Sequence, residues 1–408
     1  MSRRKGVRFV SVLLVISSLL LLLSFFGVTQ KPIRGAKRFE QGKTSVPAPT
    51  EGENPETDPT REEEPLPSED PEESEVLLYD LPILDNDPDE LPRGGEALRL
   101  WPETLSIPRL HEPNLDAYLG LESSAEPLRG ITVILDATRG GADTGAVWGT
   151  GEGAVTEKRI VLEIALIAER KLAERGATVV MTRTTDEEFS FFRTVAKAAE
   201  VALIRYGEAA ELGGYHRDAI DNLRLLMSDI IRINQNSPSS GGRGLFGSIG
   251  TPPQLRILYD IESQYSDTLF ISLALGNDPN DPSRHGSQSY FMSAPFVEQV
   301  NNEYAVGQDA NTLAPNYTNI DSEGRRKLAS LLKSSLASAE PFLAPEDGKN
   351  EGEERDMAVL RLTNYVSASF SPGYLSNDSD RQLLTSERGR EVIGEAIADA
   401  VTRYYTSP

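Results

Sequence analysis

Residues 131–161, ITVILDATRGGADTGAVWGTGEGAVTEKRIV, constrain the fold of this chain more than any other stretch. An apolar run from Ile131 to Leu135 reads as a buried strand. It breaks at Asp136 into a loop carrying the pair Gly140 and Gly141, and a helical pattern begins near Glu157. From Glu157 to Arg175 the residues Ile160, Ile164, Ala168 and Leu172 recur at helical spacing, and Gly176 stops the run. A second strand, Ala177 to Arg183, follows at once. Strands alternating with helices predict an α/β fold with a mixed, largely parallel sheet flanked by helices.

The same alternation continues, with one interruption. Phe191 to Ile204 reads as a helix, and Thr268 to Leu273 (TLFISL) as the next strand. Between them, residues 205–264 are polar, with one helical segment (Asp218 to Ile233) and a loop, NSPSSGGRGLFGSIGTPP. A structureless loop of that length is uncommon inside a compact domain, so the region reads as a helical insertion. Its glycines follow no strand and precede no phosphate-binding lysine, so they indicate a flexible loop. Further on come a strand in Gly286 to Ser293, a helix from Ser322 to Leu336, and an acidic flexible piece from Glu346 to Glu354. The last strand falls within Met357 to Phe370, and the helix Gly389 to Tyr405 closes the domain.

The first part of the chain reads differently. Residues 1–8 are basic, and 9–28 form an apolar run of about twenty residues, long enough at 1.5 Å rise per residue to span a bilayer. We read it as a signal anchor with a cytoplasmic start, a cleaved signal peptide being the other reading. Residues 29–75 are acidic and Pro-rich, a self-repelling tether. Residues 76–127 read as an extended collar on the edge of a compact domain, 128–408, which carries the insertion at about 205–264. The expected location is the inner or cytoplasmic membrane, single-pass, with the domain on the periplasmic or extracytoplasmic side. The net charge of −22 argues against a nucleic-acid partner. The absence of cysteine excludes disulfides and thiolate metal sites.

The loop after the first strand, Asp136-Ala137-Thr138-Arg139-Gly140-Gly141-Ala142-Asp143-Thr144-Gly145-Ala146, followed by Glu157, resembles the opening motif of the zinc-dependent N-acetylmuramoyl-L-alanine amidases of the amidase-3 family. That motif runs D-P-G-H-G-G-x-D-x-G-A, with a Glu at the start of the next helix. The resemblance extends over roughly 128–405, interrupted by the insertion. It includes KRIVLEIALIAERKLAERGATVVMTRTTD, DTLFISLALG, GSQSYFMS and VSASFSPGYLSNDSDRQLL. Each piece alone is weak; their order makes the fold expectation strong.

The resemblance implies zinc held by His, Glu and His, with a further Glu as general base. Carried across residue by residue, the first His position is Arg139 and the ligand Glu is Glu157. The second His position is Ala274, and the general-base position is Ser371. Arginine stays protonated and has no lone pair for a cation; alanine offers no donor, and serine is a poor base. Only Glu157 is retained as a metal ligand, so no cofactor is expected, and zinc only if the site has moved. The chain has three histidines, His111, His216 and His285, and a relocated site needs two of them beside Glu157. Arg139 either pairs with Glu157, filling the old metal position, or reaches into the groove to hold a carboxylate of a muramyl peptide stem. Asp136 and Asn277 complete the candidate binding set as loop-bracing residues beside the pocket.

Two functions follow. One is an exported, membrane-tethered, amidase-like protein that has lost catalysis and binds peptidoglycan or a cell-wall enzyme. The other is a working amidase that cleaves the muramic acid–L-alanine bond with displaced ligands.

Overall fold

The computed structural model describes residues 107–408, apart from 216, 238–239, 244–245, 247–252 and 306–318. The apolar run at 9–28, the acidic tether, the first part of the collar and His216 lie outside the described residues. The chain divides into Met1–Glu69 and Asp70–Pro408, and every described residue belongs to the second unit. Among the described residues no helix is long and apolar enough to cross a membrane.

Strand β1 (Thr132–Ala137) is buried along its whole length. A small antiparallel hairpin, β2 (Val147–Trp148) and β3 (Val155–Thr156), leads into helix α1 (Glu157–Glu174). Then come β4 (Thr178–Met181), α2 (Phe191–Leu212), α3 (Asp218–Ile233), α4 (Pro253–Glu262) and β5 (Thr268–Leu273). The remainder is β6 (Gln288–Phe291), α5 (Ala294–Ala305), α6 (Ser322–Ala339), β7 (Glu353–Glu354), α7 (Ala358–Arg361), β8 (Val366–Ser371), α8 (Asp378–Thr385) and α9 (Glu387–Thr406).

The main sheet has the order β4-β1-β5-β8-β6-β7. Its first four strands run parallel, and β6 pairs antiparallel with β8 before pairing parallel with β7. Successive side chains of β1 serve opposite faces. Val133 and Leu135 join a core with Ile160, Ile164, Leu332 and Ile397 beneath α1, α6 and α9. Ile134 joins the other core, with Phe192, Tyr206, Met227 and Leu258 from α2, α3 and α4. Helices on both faces explain why β1 and β5 read as largely apolar runs rather than alternating ones.

Several expectations need correction. The helix read as ending at Ile204 continues to Leu212, because Tyr206 and Ala210 are buried in the second core and Gly207 lies close to Ile220 of α3. The end of the polar stretch is helix α4, whose Leu255, Leu258 and Ile261 are buried despite the charges between them. Two more helices, α5 and α8, occupy segments to which the sequence reading assigned no element. The acidic piece read as flexible contributes β7, which adds Glu353 and Glu354 to the sheet beside Tyr290 and Phe291. In the described part of the collar, Ile107 and Leu110 pack on the second core while Leu115 and Tyr118 pack on the first.

Candidate functional site

The parallel strands β1, β5 and β8 end at one edge, where loops meet the start of α1. Open α/β sheets place their crevices at this carboxyl edge. A cavity of about 630 Å³ lies here, lined by Arg139, Glu157, Ala274, Asn277 and Ser371 among others. The fold therefore gathers all four positions of the resemblance, and Asn277, around one space.

Glu157 is the fixed point. It opens α1, yet its side chain is only 2% exposed. Its Oε2 accepts the backbone N–H of Ala146 at 2.9 Å, and its Oε1 that of Leu275 at 3.1 Å. The Glu157 N–H in turn donates to the Ala146 carbonyl at 2.8 Å. The carboxylate thus ties the loop after β1 to the loop after β5. Gly145 permits this approach: its φ is +62°, and a Cβ there would stand 2.3 Å from Glu157 Oε2.

Arg139 sits over this carboxylate. Its Nε lies 3.5 Å from Glu157 Oε2, and its Nη1 donates to Asp143 Oδ2 at 3.2 Å. Nε is buried but makes no hydrogen bond of good geometry. Burial alone would lower the Arg139 pKa, but Glu157 and Asp143 outweigh it and hold the guanidinium above its ordinary value. The backbone of Arg139 is left-handed, with φ +68°, a conformation that costs a non-glycine residue about 1–2 kcal/mol. The two readings of Arg139 meet here, since the side chain both pairs with Glu157 and lines the cavity.

Ala274 presents a methyl group. The Ser371 hydroxyl, at the end of β8, donates to the Gly373 carbonyl at 3.3 Å. These positions do not fit a zinc ion. The one carboxylate among them already accepts two backbone N–H groups and faces a guanidinium. Among the described residues no three His, Cys, Asp or Glu side chains are grouped to hold a metal.

Neither described histidine lines this cavity. His111 lies at the opposite end of the strands, where Nε2 sits 2.8 Å from Asp267 Oδ2 just before β5 and the ring stacks on Tyr265. His285 is exposed and lines an adjoining cavity, not the one containing Glu157.

Asp136 leaves the binding set. It is wholly buried and does not line the cavity. Its Oδ2 accepts the Ser272 hydroxyl at 2.7 Å, and its Oδ1 accepts those of Thr182 and Thr194 at 2.9 and 3.3 Å. Burial raises its pKa, and these three hydrogen bonds offset part of the rise. Asp136 is a clamp joining β1, β5 and α2.

The sequence reading missed residues of two kinds. Arg183 staples the active loop: it donates to the carbonyls of Ala137, Thr138, Lys158 and Thr185. The far wall of the cavity is made by Arg284, Gln288, Tyr290, Arg355 and Tyr374. Tyr374, in the SPGYLSN segment, had a signal in the resemblance; Arg284 and Arg355 lie in loops without one.

This chain belongs to the N-acetylmuramoyl-L-alanine amidase family, amidase-3, whose sequence model matches residues 133–207 and 254–403, more than half of the chain. Residues 208–253 fall between the two matched segments. Among curated relatives, AmiC of Neisseria meningitidis serogroup B, an N-acetylmuramoyl-L-alanine amidase, is 26% identical over 303 residues, covering 71% of this chain and 57% of that protein. The probable cell wall amidase LytH of Staphylococcus aureus is 41% identical over 73 residues, 18% of this chain and 25% of that protein. The chain therefore spans little more than half the length of the first relative and a quarter of the second. Among solved structures, the CwlD amidase of Clostridioides difficile, in complex with the GerS lipoprotein, aligns with a TM-score of 0.38 at 19% identity. That alignment covers 67% of this chain and 98% of the other.

Proposed function

We propose that this protein is an amidase-fold binding protein of the cell wall that engages peptidoglycan or a cell-wall enzyme without cutting the amide bond. It is carried on the extracytoplasmic side of the membrane by the apolar segment at 9–28. One observation carries this reading: the ligand positions hold a guanidinium, a methyl group and a single carboxylate already engaged by Arg139, Ala146 and Leu275. With no set of donors to hold a metal at these positions, they offer no open coordination position at which a water could be made acidic. What these residues do instead is keep the crevice shaped: Glu157 joins its two loops, and Arg139 replaces a dication with a fixed monocation.

The test uses the purified protein with insoluble peptidoglycan. We expect it to co-sediment with peptidoglycan or with a cell-wall enzyme, to carry no stoichiometric zinc by elemental analysis, and to release no stem peptide. About one tightly held zinc per chain, together with chelator-sensitive release of stem peptide, sinks the proposal. It would restore the alternative of an active amidase with a relocated zinc site, with His285 the first residue to replace.

A further inference from the structure

The far wall of the cavity has a charge pattern that the lost metal site does not explain. Three arginines from three separate segments line the same space: Arg139 after β1, Arg284 between β5 and β6, and Arg355 after β7. The cavity's lining includes a single carboxylate, Glu157. The formal charge of the lining is therefore positive.

Arg284 and Arg355 are each held against an aromatic ring, and Arg284 has one carboxylate partner, Asp278. Arg284 lies over the Tyr374 ring, 5.2 Å from its centroid, and meets Asp278 only at 3.5 Å. Arg355 lies over the Tyr290 ring at 4.8 Å, and no ion pair of Arg355 occurs among the described residues. A guanidinium resting on an aromatic ring is steadied by cation–π attraction while its N–H edge stays available. The rings themselves are firmly set, with Tyr374 3% and Tyr290 8% exposed. The Tyr290 hydroxyl donates to Gln288 Oε1 at 2.6 Å, and Gln288 lines the same cavity as both arginines. An adjoining cavity of about 420 Å³ shares Arg284 and Gln288 but is lined by Glu346, Asp347 and Glu353. That cavity also contains Lys333, but its three carboxylates outnumber Arg284 and Lys333, whereas on the Glu157 side the arginines outnumber the carboxylate.

We infer that the cavity that replaced the metal centre is an oxyanion site, in which Arg284 and Arg355 grip a carboxylate or phosphate group of the ligand while Arg139 supplies further positive charge. Planar guanidinium forks match both oxyanions in two contacts. The space, about 630 Å³, is in the range that houses a small ligand rather than a bare ion. The inference rests on the reading of the site as non-hydrolytic and adds the chemistry of what it holds.

The experiment titrates the full chain by calorimetry with three probes: acetyl-triglutamate, acetyl-triglutamine and inorganic phosphate. Triglutamate binding at least tenfold tighter than triglutamine, and weakening as salt rises, assigns the site to a ligand carboxylate. Phosphate binding with no preference between the peptides assigns it to a phosphate group. In either case the double variant Arg284→Gln, Arg355→Gln should lose at least tenfold in affinity at an unchanged melting temperature, and the double lysine variant should recover part of the loss. Failure of both anionic probes to bind, or full binding by the double glutamine variant, overturns the inference. If that variant still sediments with peptidoglycan, only the oxyanion site falls and the binding role stands; zinc-dependent hydrolysis would instead remove the binding role.

Discussion

Asp136 and Glu157 are two buried carboxylates of the same motif, yet they are held in different ways. Asp136 faces three hydroxyls that converge from β5, α2 and the end of β4. Glu157 faces two backbone amides and an arginine. A hydroxyl can rotate to another acceptor, whereas a backbone N–H in a fixed loop cannot. Asp136 therefore belongs to the core, and its chemistry is spent on joining elements. Glu157 stands at the cavity wall, where loop geometry depends on it and the ligands around it are free to change. The other family ligand positions beside Glu157 are Arg139 and Ala274, while the loops use both of its acceptor oxygens.

The largest effect expected from breaking this contrast is a gain. Arg139→His, Ala274→His and Ser371→Glu together restore two imidazoles beside Glu157 and a carboxylate nearby, and elemental analysis should then find about one zinc per chain, against none expected for the natural protein. Histidine tolerates the left-handed backbone of position 139 better than most residues. A triple variant that folds but takes up no zinc would mean that the crevice has changed shape as well as chemistry.

Next is Glu157→Ala, which strands the N–H groups of Ala146 and Leu275. An unsatisfied buried donor costs about 1–3 kcal/mol, so we expect a loss of roughly 2–4 kcal/mol in denaturant unfolding. Arg139 limits the damage, since its side chain is 43% exposed and keeps Asp143. An unchanged midpoint would show that the loops hold each other without the carboxylate.

A third carboxyl sharpens the comparison through pH. Glu262 is 1% exposed, and burial pushes its pKa up to about 8 despite hydrogen bonds from Thr363 and the Asn364 N–H. Because the folded value lies above the unfolded one, the folded state binds the extra proton. The stability it confers is complete below about pH 4 and is lost as pH rises toward 8, at up to about 1.4 kcal/mol per pH unit. Unfolding midpoints measured from pH 5 to 8 should fall, and Glu262→Gln should flatten the slope; parallel slopes would refute the assignment.

The smallest effect is Asp136→Asn. Burial already favours the neutral acid, and the hydroxyls can reorient around an amide, so about 1 kcal/mol is expected by thermal unfolding. A loss as large as that of Glu157→Ala would erase the distinction drawn between the two residues.

Much of this arrangement was legible before the coordinates. The start of α1 at Glu157, the bounds of α3 and the strand Thr268–Leu273 follow from apolar spacing, and the gathering of Arg139, Glu157, Ala274 and Ser371 follows from the resemblance. Helix α4 was hidden because Arg256 and Glu262, both buried, interrupt its apolar pattern. In α5, Asn301 and Asn302 break the apolar spacing, although Val297 and Val300 are core residues. Strand β7 has no local pattern at all, since two glutamates become a strand only by pairing with β6. The arginine wall was illegible for a related reason: Arg284 and Arg355 are 71 positions apart, and only β6 and β7 lying side by side bring their segments to one cavity.

Strand β7 has a consequence of another kind. An exposed sheet edge is a template on which a second molecule can add a strand. One edge of this sheet is β4, four residues long, and the other is β7, two residues long with both glutamates facing solvent. Both edges are short and that of β7 is also charged, and both properties discourage backbone pairing between copies. Molecules crowded together are thereby protected from polymerising through their sheets, and contact between them is left to side-chain surfaces.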